Sequence, residues 1–446
     1  MKILALIDGE HYPPVTQDAI LSIEGDVKAA VFIGGTEKIG NIDELTQHMG
    51  LPVYMAHVQD FSIVIKLIVD ICRKYEIEQV VDLSDEPVVN YESRFSIGST
   101  LMKEGVEYRG SDFIFTPPST DKVLEKPSFM VVGMTKRVGK TAVSGYMARL
   151  FKTHGYTPCV VTMGRGGPTE PEIIRGDTIT LTPSYLLQQA DSGKHAASDH
   201  WENALTSRVV TVGCRRCGGG MAGTPFTSNV VKGAQLANTL DSDIVIMEGS
   251  GITLPPVYTD KHVVVAGAHQ SVEFIREYFG PFRILLADLV IVTMCEEPMA
   301  SPEKVNEMEK ILDDIRPGVL QAHCVFRPHP LGEIKGRKIV LTTTAPPSIL
   351  ETKIVPYLEE TFDCNVVGFS PYLSNRPKVK QDLETYLPQA DLLLTEIKAS
   401  AIDVATREAL KKGLDVVYMD NILHLVGGNV LNLEDTLLRM VKEVSS

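Results

Sequence analysis

The sequence has no apolar run approaching the roughly 20 residues that a helix needs to cross a bilayer. Its opening Met1-Lys2-Ile3-Leu4-Ala5-Leu6-Ile7-Asp8 is too short for a secretory signal and has no small-residue cleavage site. These absences argue against a membrane or secreted protein and lead us to expect a cytoplasmic one. Cysteine is scarce, with seven in 446 residues, an odd number at low density that excludes a disulfide framework and predicts reduced thiols. Only Cys214-Arg215-Arg216-Cys217 has metal-ligand spacing, and no second Cys-x-x-Cys or His-x-x-x-His completes a tetrahedral zinc site. Two incidental loop cysteines are therefore a plainer reading than a metal or redox pair. Positive charge is short as well: 43 Lys and Arg against 57 Asp and Glu leave a net charge of −14. That balance argues against nucleic acid or an anionic membrane as partner, so a phosphate-rich small molecule would need a local basic pocket. Low-complexity tracts and repeats of 20 to 50 residues are absent, which excludes a solenoid.

At this length two or three domains are expected, each able to bury a core. Residues 1–125 read as strand-then-helix units, with strands near 3–7, 30–33 and 79–83 and a helical pattern over 61–75. That is an open, Rossmann-like α/β domain. Its strand-terminal loops are polar, namely Asp8-Gly9-Glu10-His11-Tyr12-Pro13, Gly34-Gly35-Thr36-Glu37-Lys38 and Asp82-Leu83-Ser84-Asp85-Glu86-Pro87. Ligands bind at such loops, although Gly and Asp also serve simply to make turns. The proline-bearing stretch 115–127 reads as a linker, placing a boundary near 125. From 126 to 446, strands at 128–132, 158–162, 244–247, 263–265, 289–292 and 338–342 alternate with helical patterns, as in a doubly wound, mainly parallel sheet. Further strands at 365–369, 392–395 and 416–419 either extend that sheet or make 310–446 a C-terminal subdomain.

The strongest motif is Gly133-Met134-Thr135-Lys136-Arg137-Val138-Gly139-Lys140-Thr141, preceded by an apolar strand and followed by a helical pattern over 142–154. Strand, loop and helix are the context a phosphate-binding P-loop requires. Backbone N–H groups converge on phosphate, Lys140 reaches the β- and γ-phosphates, and Thr141 can ligate Mg²⁺. Gly133, Thr135, Val138, Gly139, Lys140, Thr141 and Ala142 are the expected nucleotide contacts. Five residues rather than four separate Gly133 from Gly139, and this longer form resembles the loop of dethiobiotin synthetases and related P-loop ATPases. In the same group a strand ending in an acid and glycines holds the metal, and Ile244-Val245-Ile246-Met247-Glu248-Gly249-Ser250-Gly251 resembles it. Thr141 and Glu248 are thus the expected metal ligands.

Met163-Gly164-Arg165-Gly166-Gly167 follows the next strand, and Arg165, with Lys136, is a candidate to stabilise charge on a transferring phosphoryl group. Arg215 and Arg216 precede Gly218-Gly219-Gly220, a basic flexible segment able to close over phosphates, and Arg215 is taken as a substrate ligand. Val325-Phe326-Arg327-Pro328 is placed to stack on or cap a base, and Arg376 and Lys398 are the downstream cations retained as substrate ligands. After the strand at 289–292 comes Thr293-Met294-Cys295-Glu296, without the Asn-Lys-x-Asp element that reads guanine. ATP is favoured on that ground.

Leu6-Ile7-Asp8-Gly9-Glu10-His11-Tyr12-Pro13-Pro14-Val15 and Val31-Phe32-Ile33-Gly34-Gly35-Thr36-Glu37-Lys38, together with the P-loop, resemble the cyclic 2,3-diphosphoglycerate synthetase family over nearly the whole chain. The resemblance implies a ligase that closes an intramolecular phosphoanhydride between the two phosphates of 2,3-diphosphoglycerate while ATP becomes ADP and phosphate. On this reading His11, Lys38, Arg94 and Arg109 hold substrate phosphates, Asp8, Glu10 and Asp85 orient cations or a second metal, and closure of the first domain excludes water. The alternatives are another P-loop kinase or ligase, dethiobiotin-synthetase-like, and a nucleotide-gated metallochaperone or regulatory GTPase. Oligomeric state is open, a homodimer included.

Overall fold

The computed structural model describes residues 1–35, 37, 38, 42–56 and 60–445; Thr36 of the expected phosphate-side loop lies outside them. The chain divides into two compact units, Met1–Pro118 with Glu273–Leu286, and Ser119–Val272 with the residues from Ala287 onward. Among the described residues no helix is long and apolar enough to cross a membrane.

In the first unit, β1 (Lys2–Ile7) is an unbroken apolar run whose residues Ile3 to Ile7 are fully buried. Such runs belong to strands covered on both faces. With β2 (Asp26–Phe32), β3 (Val53–Met55), β4 (Gln79–Asp82), β5 (Glu107–Arg109) and β6 (Ile114–Phe115) it makes a sheet in the order β3-β2-β1-β4-β5-β6. All pairs are parallel except β5 with β6. The helix Phe61–Tyr75 starts where the Asp60 carboxylate accepts from the Ser62 N–H, and it lays Val64, Ile68, Ile71 and Cys72 against Leu4, Leu6 and Val31. The order reverses at β1, so the loops after β1 and β4 lie side by side at the strand ends.

A boundary near 125 assigns residues 273–286 to the P-loop domain, whereas the structure groups them with the first unit. Aromatic packing explains this. The Phe279 ring stands edge-on to Phe95 at 5.0 Å and to Phe115 at 4.9 Å, and Phe95 stacks on Phe115 at 5.4 Å. These edge-on geometries match the ring quadrupoles. Gly98 leaves the gap they fill, since a Cβ there would lie 3.0 Å from Phe115.

The second unit contains β7 (Ser128–Gly133), β8 (Pro158–Gly164), β9 (Glu172–Arg175), β10 (Val210–Cys217), β11 (Thr227–Ser228), β12 (Ile244–Glu248), β13 (Lys261–Gly267), β14 (Leu289–Thr293), β15 (Leu320–Pro330), β16 (Lys338–Thr342), β17 (Asn365–Ser370), β18 (Leu392–Thr395) and β19 (Asp415–Gly428). Their order is β11-β10-β8-β12-β7-β13-β14-β15-β19-β18-β16-β17, with β9 beside β10. The antiparallel pairs are β9 and β11 with β10, and β15 with β19. Ile244 and Ile246 of β12 enter one core with Phe129, Met147 and Phe151, while Val245 and Met247 enter another with Val161, Val212 and Ala234. Both faces are therefore covered, as in a doubly wound α/β fold. Strand β19 carries out two tasks: residues 415–418 pair parallel with β18, and the chain then runs antiparallel along β15. The carboxyl-terminal strands thus have their own parallel set, joined to the P-loop strands through β19.

Phe279→Ala should cost about 3–5 kcal/mol, the range for removing a buried phenyl ring from a packed core. Urea unfolding followed by far-ultraviolet dichroism measures it, and a loss below about 1 kcal/mol, the level of an ordinary substitution, would show that the 273–286 segment is not part of the first unit's core.

Candidate active site

Strand β7 is the point where the order of the P-loop strands reverses, with β12, β8 and β10 on one flank and β13, β14 and β15 on the other. Ligands in open α/β sheets bind at such switch points. The chain leaves β7 at Gly133, runs through the loop 134–139 and enters the helix Lys140–Thr153 two residues earlier than the apolar pattern indicates, so Lys140 and Thr141 lie in its first turn. Gly139 caps this helix with φ +87°, and a Cβ there would lie 2.3 Å from the Phe326 ring. Both the backbone angle and the ring demand glycine.

Neighbouring strands hold the loop. The Met134 N–H donates to the Val265 carbonyl at 2.9 Å, and the Thr293 hydroxyl donates to the Val138 carbonyl at 2.8 Å. Gln270 donates to the Lys136 carbonyl at 3.0 Å and accepts from the Thr135 hydroxyl. Val138 is buried, and Ala142 continues the helix into the core below.

At the end of β12 the Glu248 carboxylate is 1 % exposed. It accepts from Thr141 Oγ1 at 2.7 Å, Ser144 Oγ at 2.9 Å and Asn203 Nδ2 at 2.9 Å. Burial raises its pKa, the charge of Asp199 adds to that rise, and Lys140 and the hydroxyl donors oppose it. A buried, anionic, all-oxygen set beside a phosphate loop fits a hard divalent cation. Asp199, at the start of the helix Asp199–Ser207, is the acid that sequence reading missed. No motif surrounds it, and only the fold brings it beside Lys140 and Thr141.

A cavity of about 500 Å³ opens from this loop. At its phosphate end stand Lys140, Thr141, Asp199 and Lys398, and at its other end Met294, Met299, Phe326, Ile349 and Ile354 make an apolar slot. Arg327 closes the slot, donating to both Glu296 oxygens at 2.5 and 2.9 Å. Lys398 reaches the cavity from the loop after β18 and lies 3.7 Å from Glu202 Oε1. Burial pushes the Glu202 carboxyl up to about 8 against the pull of Lys398, and the Glu202 charge in turn raises Lys398. Arg376 is elsewhere, exposed at the head of the helix Arg376–Tyr386 and ion-paired with Asp403.

On the opposite flank, Arg165 and Lys136 meet at the turn after β12. A Cβ on Gly251, whose φ is +64°, would lie 2.9 Å from Arg165 Nη2 and 3.8 Å from Lys136 Cγ. Arg215 turns away to Thr169 Oγ1 at 3.1 Å, while Arg216 donates to the Ser250 carbonyl at 2.9 Å. Successive strand residues face opposite ways, so these two arginines leave β10 on opposite faces. Cys214 is buried, with burial pushing its thiol up to about 12, whereas Cys217 is exposed.

In the first unit the predicted cations are largely taken. His11 lies 2.7 Å from Asp8 and 3.3 Å from Asp85, and its bond to Asp8 is the main cause of its raised pKa. Arg94 lies 3.2 Å from Asp82, and Lys38 pairs with Glu37. Arg109 is exposed at the end of β5. A hollow of about 210 Å³ here has Asp8, Asp82 and Asp85 with His11 as the charged or titratable groups of a lining that also includes Val15, Thr16, Ala19 and Leu83.

Three family models match the chain: the cyclic 2,3-diphosphoglycerate synthetase N-terminal domain over residues 2–116, the P-loop domain over 128–325 and the C-terminal domain over 330–422. Relatives named cyclic 2,3-diphosphoglycerate synthetase include one from Methanothermus fervidus, 52 % identical over 99 % of this chain and 97 % of the relative. One from Methanothermobacter thermautotrophicus is 52 % identical over 99 % and 96 %, and one from Rubrobacter xylanophilus is 47 % identical over 94 % of each chain. Matches through all three domains do not favour the dethiobiotin-synthetase-like ligase, the metallochaperone or the regulatory GTPase. With a P-loop, its acid partner and domain matches along its length, this chain is an enzyme that belongs to the cyclic 2,3-diphosphoglycerate synthetase family.

Proposed function

We propose that this protein closes 2,3-diphosphoglycerate into its cyclic phosphoanhydride, converting ATP to ADP and phosphate. The single observation that carries the reading is the Thr141–Glu248 contact within a P-loop cavity, taken with the full-length family match. The nucleotide lies with its base in the slot beside Phe326 and its phosphates on Gly133, Thr135, Val138, Gly139, Lys140, Thr141 and Ala142. Thr141 and Glu248, with Asp199 near, would hold Mg²⁺, which when bound supplies charge neutralisation for phosphate oxygens.

The chemistry balances in two displacements. A phosphate oxygen of the substrate attacks the ATP γ-phosphorus, the bond from that phosphorus to the β-bridging oxygen breaks, and ADP leaves. The neighbouring substrate phosphate then attacks the phosphorus of the activated group, forming the ring P–O–P bond and expelling inorganic phosphate. No protein nucleophile is needed. Both steps bring polyanions together, so the residues act by positioning and by charge, with Lys140 on the β- and γ-oxygens and Lys136 and Arg165 on the group in transfer. Lys398, 3.7 Å from Glu202, gives the cavity a second positive charge beside that of Lys140. We place the enzyme in the cytoplasm.

Lys140→Ala should lower kcat about 10³-fold, the scale for losing one charge-stabilising donor, with the dichroism spectrum unchanged. Phosphorus NMR of the reaction with Mg-ATP and 2,3-diphosphoglycerate reads both the cyclic product and ADP. Retained turnover would remove the P-loop from the chemistry, and ADP formation without cyclic product would sink the proposed reaction.

The Glu202 carboxyl has a folded pKa of about 8, above its unfolded value. Its favourable contribution is complete below the unfolded carboxyl pKa of about 4.3 and is lost as pH rises through the folded value. Stability should therefore decline between those limits, and Glu202→Gln should flatten the decline. Urea midpoints of both proteins at the two ends of that range test it, and parallel slopes would show that Glu202 does not titrate there.

A further inference from the structure

The flank of β7 occupied by the nucleotide cavity is made by β13, β14 and β15 together with the carboxyl-terminal strands. The other flank ends in a basic turn where Lys136 and Arg165, placed above on the group in transfer, are joined by Arg216, which the nucleotide reading does not use. Lys136 comes from the P-loop, Arg165 from the end of β8 and Arg216 from β10, and the three converge on Ser250 and Gly251 just past β12. Resting on the function proposed above, we infer that the phosphates of the acceptor, 2,3-diphosphoglycerate, seat on Lys136, Arg165 and Arg216, and that Arg216 is the residue positioning the acceptor.

The charge arrangement demands an anion. Elsewhere in this acidic chain many arginines sit on carboxylates, among them Arg175 on Asp177, Arg327 on Glu296, Arg337 on Asp415 and Arg407 on Asp191. Among the described residues Lys136, Arg165 and Arg216 have no carboxylate within ion-pair distance. Arg216 binds only neutral acceptors, the Gly218 carbonyl at 2.8 Å, the Ser250 carbonyl at 2.9 Å and the Ser250 hydroxyl at 3.2 Å. Its Nε–H is buried without a partner. Burial and the nearby Arg165 both lower its pKa, so its charge is held at a cost that a bound phosphate relieves. The turn itself is closely packed, which requires glycine. A Cβ on Gly249 would lie 2.7 Å from the Thr253 carbonyl, and one on Gly219 would lie 2.7 Å from Thr253 Oγ1. The hollow of the first unit has the opposite character: Asp8, Asp82 and Asp85 line it, and His11 is already shared between two of them. A bisphosphate placed there would face carboxylates.

Arg216→Ala and Arg216→Lys test the assignment against His11→Ala. Measured with saturating Mg-ATP, KM for 2,3-diphosphoglycerate should rise roughly 10- to 100-fold in Arg216→Ala, the loss expected for a hydrogen bond to a charged group, with partial recovery in Arg216→Lys. The Kd for Mg-ATP, titrated calorimetrically, should stay within about twofold, which also certifies that the variants are folded. An unchanged KM in Arg216→Ala would overturn the inference and leave the function standing. A raised KM in His11→Ala alone would move the acceptor to the acidic hollow and overturn it as well. Absence of cyclic product from the unaltered protein would overturn the proposed function, and this inference with it.

Discussion

The hydrogen bond from Thr141 to Glu248 is the constraint on which the remainder of the site depends. It joins the first turn of the P-loop helix to the end of the neighbouring strand, and Ser144 and Asn203 fix the other oxygen of the same carboxylate. A carboxylate this deeply buried is costly unless its lone pairs are satisfied and a positive charge is near. Three donors meet the first requirement, and Lys140 meets the second in part, which a divalent cation would complete. The helix, β12 and the helix bearing Asn203 are thereby held in one register, and the phosphate loop between them has little freedom left. Gly139 under Phe326 and the clamps from Thr293 and Gln270 remove most of what remains.

Because β7 is the switch strand, everything that follows sorts to one side or the other. Apolar side chains and a paired Arg327–Glu296 lie toward β14 and β15, where a flat base can be enclosed at small polar cost. Unpaired cations lie toward β8, β10 and β12. A net charge of −14 would repel polyanionic ligands at long range, so positive charge has to be local.

The P-loop, its strand and its helix were legible in the sequence because local signals coincide there: an apolar run, glycines at fixed places and a Gly-Lys-Thr ending. Glu248 was legible for the same reason, as an acid at the end of a buried run. Arg216 was harder, since Arg215 and Arg216 are adjacent and only the register of β10 decides which faces the turn. Asp199 had no signal, because its position depends on a helix packed from far along the chain. The packing of the 273–286 segment had no local signal: its aromatic partners Phe95 and Phe115 are more than 150 residues away, and no local pattern reports them.

That segment also limits how far a linear boundary can describe this chain. Family matches for the P-loop domain run unbroken from 128 to 325, yet the residues between β13 and β14 spend their apolar area on the first unit. The connection between two neighbouring strands of the nucleotide sheet is therefore also a wall of the other unit's core. His269 and Gln270 lie just before it, one lining the cavity and the other holding Thr135 and Lys136. The stretch that leaves β13 therefore carries a cavity residue, His269, and the residue that ties down the phosphate loop, Gln270, before it turns to aromatic packing.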